Sequence, residues 1–164
     1  MPSFSFDIVS EYDKAEMNNV FAGALREIAN RYDFKGTPAT IEWLGDKTGF
    51  KLVGAGQWQC DAILDIIRKK LAAREQSAKV FDLSKTPIEN NLKTTWEIPF
   101  KQGLSQDNAK QITKLLRDAA PKVKAQIQGD AVRVTSSSKD ELQNVIALLG
   151  KQDFDFALQY TNYR

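Results

Sequence analysis

Lys122, Lys124, Gln126 and Gln128 alternate with Val123, Ala125 and Ile127 in the stretch KVKAQIQ, and Arg133 follows just beyond Gly129 and Asp130. Side chains of a strand project to opposite faces in turn. This spacing therefore predicts a hairpin with Val123, Ala125, Ile127, Val132 and Val134 on an apolar face and the cations and amides on the other. Such a face has the chemistry to meet an anionic ligand: a guanidinium grips a phosphate through two parallel hydrogen bonds, an ammonium adds a point charge, and a primary amide reads the edge of a base. Near the other candidate residues in function, though not in sequence, Tyr163 shares a predicted face with Ala157, Gln159 and Thr161 and stands beside Arg164, where its ring would stack on a ligand. A solvated sheet face shows the same alternation, so the pattern alone leaves binding and solvation as alternatives.

The residue inventory removes several other chemistries. The chain has no histidine and a single cysteine, which excludes Ser-His-Asp and Cys-His nucleophilic sites and the usual zinc sites. Carboxylates are spread along the chain without a spacing that picks out an acid-base pair. No catalytic residue, metal ligand or cofactor is expected, and the protein reads as non-enzymatic. Cys60 falls at helical spacing with Ile63, Leu64, Ile67 and Leu71, which predicts a buried, structural thiol. In VGAGQW, Gly54 and Gly56 match the first two glycines of a dinucleotide fingerprint, but Gln59 stands where the third belongs, so a tight strand-to-helix turn is the better reading. The basic run Arg68-Lys69-Lys70 with Arg74 sits at a predicted helix C-terminal end, as expected of a solvated face. The formal charge of +2 is too mild to draw a polyanion by a global field, so any attraction must come from local clustering. There is no apolar run of about 18 residues, and no basic segment followed by an apolar one opens the chain, so a cytoplasmic protein without membrane contact is expected.

These residues need elements to position them. At 164 residues, 42% of them hydrophobic, the chain can fill one ordinary core or two small ones. Phe4, Phe6 and Ile8 share one strand face; Asp13 opens a helix with Glu16 three residues on; ATIEWL and FKLVG flank a turn; a helix runs from about Gln57 to Arg74; and KVFDLS reads as a short strand. Residues 84–94, polar and carrying Pro87, read as a linker. The order then repeats: TTWEIPF with Trp96, Ile98 and Phe100 inward, a helix capped by Ser105, the hairpin at Gly129, a helix capped by Ser138, and a last strand in FALQYTNY. Pro99 requires a bulge or an early strand end. The fold class expected is α+β, a tandem of two ferredoxin-like or RNP-like βαββαβ domains over residues 1–88 and 89–164. Each would have a four-stranded antiparallel sheet with two helices on one face. The aromatic residues that RNA-recognition sheets place on their central strands are missing, with Arg133 where one would stand.

The stretches MPSFSFDIVSE, RYDFKG, KVKAQIQGDAVRVTSSSKDELQNVIALL and LQYTNYR resemble the YajQ family of small bacterial proteins. What the resemblance implies is a tandem of RNP-like domains and binding of nucleotide or RNA. It also implies cyclic di-GMP as a signalling ligand and a transcriptional regulator as partner in some members, with no catalytic residue. Its opening, two residues longer than the family's usual PSFDIVSE, keeps strand parity, and Lys124 stands where many relatives carry Gln, adding charge to the polar face. The nucleotide-binding candidates are thus Lys122, Lys124, Gln126, Gln128, Arg133, Tyr163 and Arg164. An adaptor that meets a transcriptional regulator, with little nucleotide binding of its own, is the alternative from a different class.

Overall fold

A computed structural model describes residues 3–164; Met1 and Pro2, which open the MPSFSFDIVSE stretch, lie outside the described residues. In chain order the elements are β1 (Phe4–Val9), α1 (Lys14–Asn30), β2 (Thr40–Leu44), β3 (Gly49–Gly54), α2 (Gln57–Ala73), β4 (Ile88–Asn90), β5 (Lys93–Pro99), α3 (Gln106–Ala119), β6 (Lys124–Gln128), β7 (Ala131–Ser136), α4 (Lys139–Gly150) and β8 (Gln159–Thr161). The strands form two four-stranded sheets, ordered β6-β7-β1-β8 and β2-β3-β5-β4, and every pairing is antiparallel. This is the α+β class expected, a tandem of two ferredoxin-like arrangements.

The division of the chain differs from the expected boundary at residues 88 and 89, which falls inside β4. One compact unit, here the terminal unit, joins residues up to Glu11 to Gln102–Arg164; the middle unit is Tyr12–Lys101. The opening strands of the two halves have traded sheets. The reason lies in the stretch read as a linker. Asn90 pairs with Lys93 across a loop of Asn91 and Leu92, which both have positive φ, 51° and 66°, as a tight two-residue hairpin turn demands. This hairpin holds β5 against β4, and β5 then takes the inner place beside β3. The corresponding inner place of the other sheet, between β7 and β8, is filled by β1.

Local chemistry accounts for the ends of several elements. Asp13, Ser105 and Ser138 cap α1, α3 and α4 by accepting from the backbone N–H of Glu16, Asn108 and Glu141. Pro99 closes β5, the early strand end its missing donor requires. Its partner Gly49 allows the approach, since a Cβ there would stand 2.6 Å from the Ile98 carbonyl oxygen. KVFDLS supplies a short 3-10 turn and one bridge between Phe81 and Phe100 rather than a strand. In the terminal unit, Phe6, Ile8, Val132 and Val134 from the sheet meet Ile112, Leu116 and Val145 from α3 and α4 in a closed core. With both helices drawn to that side, the other face of the sheet carries the polar half of each alternation.

Strand exchange makes a direct prediction. A fragment of residues 89–164 lacks β1, an inner strand of its sheet, and is expected to show no cooperative urea transition. A fragment of residues 102–164 is expected to gain one when the peptide of residues 1–11 is added. Cooperative unfolding of 89–164 alone would contradict the exchange.

Candidate functional site

Cross-strand register arranges the polar face of the terminal unit in rows. Lys124 lies opposite Thr135 and Thr135 opposite Ser5. Ser5 and Arg164 then exchange backbone hydrogen bonds, with Arg164 N–H donating to Ser5 O at 2.9 Å and Ser5 N–H to Arg164 O at 3.3 Å. The next row is Gln126, Arg133, Asp7 and Thr161. Gln128 pairs with Ala131 at the hairpin end. Lys124, Gln126 and Gln128 are exposed, and hydrogen-bonded strands lie about 4.8 Å apart, so the row from Lys124 to Arg164 spans about 14 Å. Lys122 is exposed too but stands in the turn between α3 and β6, where no ladder fixes its face.

Arg133 is not a free cation. Its Nε donates to Asp7 Oδ1 at 2.9 Å and its Nη2 to Asp7 Oδ2 at 3.4 Å, while Asn162 Nδ2 donates to the same Oδ2 at 2.9 Å. The side chains of Arg133 and Asp7 keep 32% and 17% of their exposure, so the pair is shielded but not sealed. The Arg133 guanidinium hydrogen bond, with further help from Asn162 and the field of Arg164, outweighs burial and holds the Asp7 carboxyl below its ordinary range. Two of the nitrogen donors expected to grip a phosphate are therefore already directed at Asp7, and the middle row is close to neutral. Asp7 was legible as a polar-face residue from the alternation of Phe4, Phe6 and Ile8. Its partner was not, because nothing local says that β1 lies beside β7.

Tyr163 occupies a different face from the one its parity predicts. Asp7 pairs with Thr161, so a regular ladder would bring residue 163 opposite Ser5, yet Arg164 stands there. Asn162, at φ 57°, absorbs the extra residue as a bulge. Alternation slips by one, and the Tyr163 ring turns to the core side, tilted against Phe6 with centroids 5.9 Å apart. Arg164 regains the register of Ser5. Lys124, Gln126, Gln128, Arg133 and Arg164 are thus tied to one sheet face, Tyr163 lies around its edge, and Lys122 lies beyond the ladder.

The other sequence features are structural. The Ala55 N–H donates to Gln59 Oε1 at 2.6 Å, so the glycine turn before α2 is closed by its own side chain. On the basic end of α2, Arg68, Lys70 and Arg74 pair with Asp65, Glu27 and Glu16. Cys60 is fully buried against the carbonyls of Leu52 and Thr94, and burial pushes its thiol up to about 11, which leaves it protonated and unreactive at neutral pH. Among the described residues no group of three or more His, Cys, Asp or Glu is placed to hold a metal ion, and no helix is long and apolar enough to cross a membrane.

Comparison with known proteins adds a second line of observation. A family model described as "Nucleotide-binding protein YajQ-like" matches residues 4–164. A curated protein of Nocardioides sp. named "Nucleotide-binding protein" is 47% identical over 165 residues, with the whole of both chains covered. Proteins of the same name from Mycobacterium bovis and Streptomyces griseus are 46% and 45% identical over 167 and 165 residues, again with full coverage of both chains.

The Asp7–Arg133 pair gives the site a testable pH signature. Because the folded-state pKa of Asp7 is depressed, the pair's contribution to stability is complete above the ordinary value of 3.8. It is lost as pH falls below that value through the folded-state pKa. Asp7→Asn is expected to cost about 1 to 3 kcal/mol near neutral pH, with the gap to wild type closing in acid. Urea unfolding of both proteins across that range checks this; equal stability at neutral pH, or a gap that persists in acid, would contradict it.

Proposed function

We propose, because the chain belongs to the YajQ-like family, that this protein is a non-enzymatic nucleotide-binding protein. Its polar sheet face in the terminal unit takes the phosphate backbone of a single-stranded nucleic acid. The observation that carries the reading is the row Lys124, Thr135, Ser5 and Arg164, which register alone aligns. It presents an ammonium, two hydroxyls and a guanidinium in line, and every one of these groups can donate a hydrogen bond. The single carboxylate in the adjoining row, Asp7, is already matched by Arg133 and Asn162 and does not repel an approaching anion as a free charge would.

Length favours a chain over a lone nucleotide. The cations stand on backbone positions at the two ends of a row about 14 Å long, a spacing that suits successive phosphates of a strand better than a lone phosphate. Gln126 and Gln128, exposed beside the row, are placed to meet base edges. The names of the full-length relatives, all "Nucleotide-binding protein", support the same ligand class. With no histidine in the chain and Cys60 buried, the described face offers binding chemistry rather than an activated nucleophile. The regulatory setting follows the family resemblance, in which cyclic di-GMP or a transcriptional regulator is a further candidate partner.

Anisotropy titration of a fluorescent single-stranded RNA tests the reading, with cyclic di-GMP as a competitor and salt as the variable. Affinity should fall steeply with salt. Lys124→Ala should weaken binding and lessen the slope of log affinity against log salt by about 0.7, one phosphate contact on a single strand. Asp7→Asn, which removes a negative charge and releases Arg133, should tighten it. Displacement by cyclic di-GMP with no dependence on Lys124 would move the site, and salt-insensitive capture of a regulator without RNA affinity would favour the adaptor reading.

A further inference from the structure

At the end of the same row the sheet turns into a cavity. Phe4, Ser5, Lys139, Leu142, Gln143, Ile146, Tyr163 and Arg164 enclose about 340 Å³ between the start of β1, the end of the chain after β8, and α4. Two of these residues, Ser5 and Arg164, also belong to the polar row, so the cavity and the row share a rim. Its interior differs in kind from the row. Phe4 lies half-buried under the Lys139 ammonium, 4.9 Å from the ring centroid, and Tyr163, turned inward by the Asn162 bulge, keeps 61% of its exposure. Leu142 and Ile146 supply an apolar floor, Gln143 an amide, and Lys139 and Arg164 positive charge; among the described residues no carboxylate side chain lines it.

We propose that this cavity binds one nucleobase, held against the ring of Tyr163 over the apolar floor, with the attached phosphate at the rim between Arg164 and Lys139. The inference rests on the nucleotide-binding reading above and deepens it by assigning the base its own place. Each part of the composition has a counterpart in the ligand. An exposed aromatic ring stacks on any base, since every base has a π-face. The amide of Gln143 can both donate to and accept from a base edge. Cations at the mouth and none of the opposite charge among the lining side chains suit a phosphate and reject a neutral apolar guest less well placed to use them. The volume is at the small end for ligand pockets, of the order needed for a single nucleotide rather than a larger cofactor. The bulge is what makes this possible: in a regular β8 the Tyr163 ring would face the polar side and the cavity would lose one wall. Among the described residues the central strands β1 and β7 put no aromatic on the polar face, where RNA-recognition modules stack bases, since Phe4 and Phe6 face the helices; here the stacking ring is supplied from the edge.

Calorimetric titration of the whole chain with AMP, inorganic phosphate and a short single-stranded RNA tests this on wild type, Tyr163→Ala, Tyr163→Phe and Lys124→Ala. AMP should bind wild type more tightly than phosphate alone. Tyr163→Ala should weaken AMP by about 5- to 150-fold, the loss of one stacked base, while Tyr163→Phe, which keeps the ring, should bind nearly as wild type. Lys124→Ala, remote from the cavity, should leave AMP unchanged and weaken RNA. A parallel loss of RNA affinity in Tyr163→Ala would identify the occupant as a base of the strand; a loss confined to AMP would identify it as a free nucleotide, and both sustain the cavity. AMP affinity equal in wild type and Tyr163→Ala, or no AMP binding alongside RNA binding that depends on Lys124 but not Tyr163, would overturn the cavity and leave the row standing. Absence of binding by AMP and RNA alike would overturn both. A melting temperature for Tyr163→Ala close to wild type would show that its loss of affinity is not a loss of fold.

Discussion

An inner strand must give its amides and carbonyls to neighbours on both sides, and in the terminal unit that strand is β1. It comes from the start of the chain, pairs with β7 along five residues and with β8 along three, and buries Phe6 and Ile8 completely. The rows that cross the polar face follow from this placement. The alternation that sinks Phe6 and Ile8 raises Ser5 and Asp7, and the register with β7 sets Asp7 against Arg133 and Ser5 against Thr135. Without β1 the hairpin of β6 and β7 would still carry Lys124, Gln126 and Arg133. Arg133 would then lack its counter-charge, and no row would reach Arg164.

The charge arrangement that results is economical in a physical sense. A bidentate guanidinium–carboxylate pair at the middle of a sheet fixes two side chains and cancels two charges, while the unmatched cations stand at the edges. In the proposed binding, only cations free of an internal partner would displace condensed counterions from a phosphate backbone, so the edges rather than the centre would set its strength. The Asn162 bulge adds a second consequence at one edge. By displacing the alternation by one residue it sends Tyr163 to the helix side and keeps Arg164 in register with Ser5, joining an aromatic wall to a line of hydrogen-bond donors.

What was legible in the sequence was whatever depends on neighbours along the chain. Side-chain alternation in KVKAQIQ and SFSFDIV, helical stripes, and the caps at Asp13, Ser105 and Ser138 are local, and they gave the α+β class, the strand faces and most element boundaries. Strand exchange is not local. The hairpin at Asn91 and Leu92 leaves little local signal, because leucine is a poor residue for positive φ, and a polar stretch with Pro87 resembles a linker more than an edge strand. The Asp7–Arg133 pair joins residues 126 apart in sequence, and only the order of strands reveals it. Tyr163 was misplaced by one residue of parity, since alternation rules assume a regular strand and Asn162 breaks it. Of these, the asparagine was the one available hint, being among the residues that most readily adopt a left-handed backbone.

In the proposed binding, a row defined by strand register, rather than any one residue, meets the nucleic-acid backbone. Backbone amide NMR of the isotope-labelled chain, titrated with a short single-stranded RNA, tests it most directly. The largest shifts are expected on Ser5 of β1, Lys124 of β6, Thr135 of β7 and Arg164 after β8, moving together along one binding curve. Shifts confined to the middle unit, or to α3 and its flanks with the row unmoved, would contradict it.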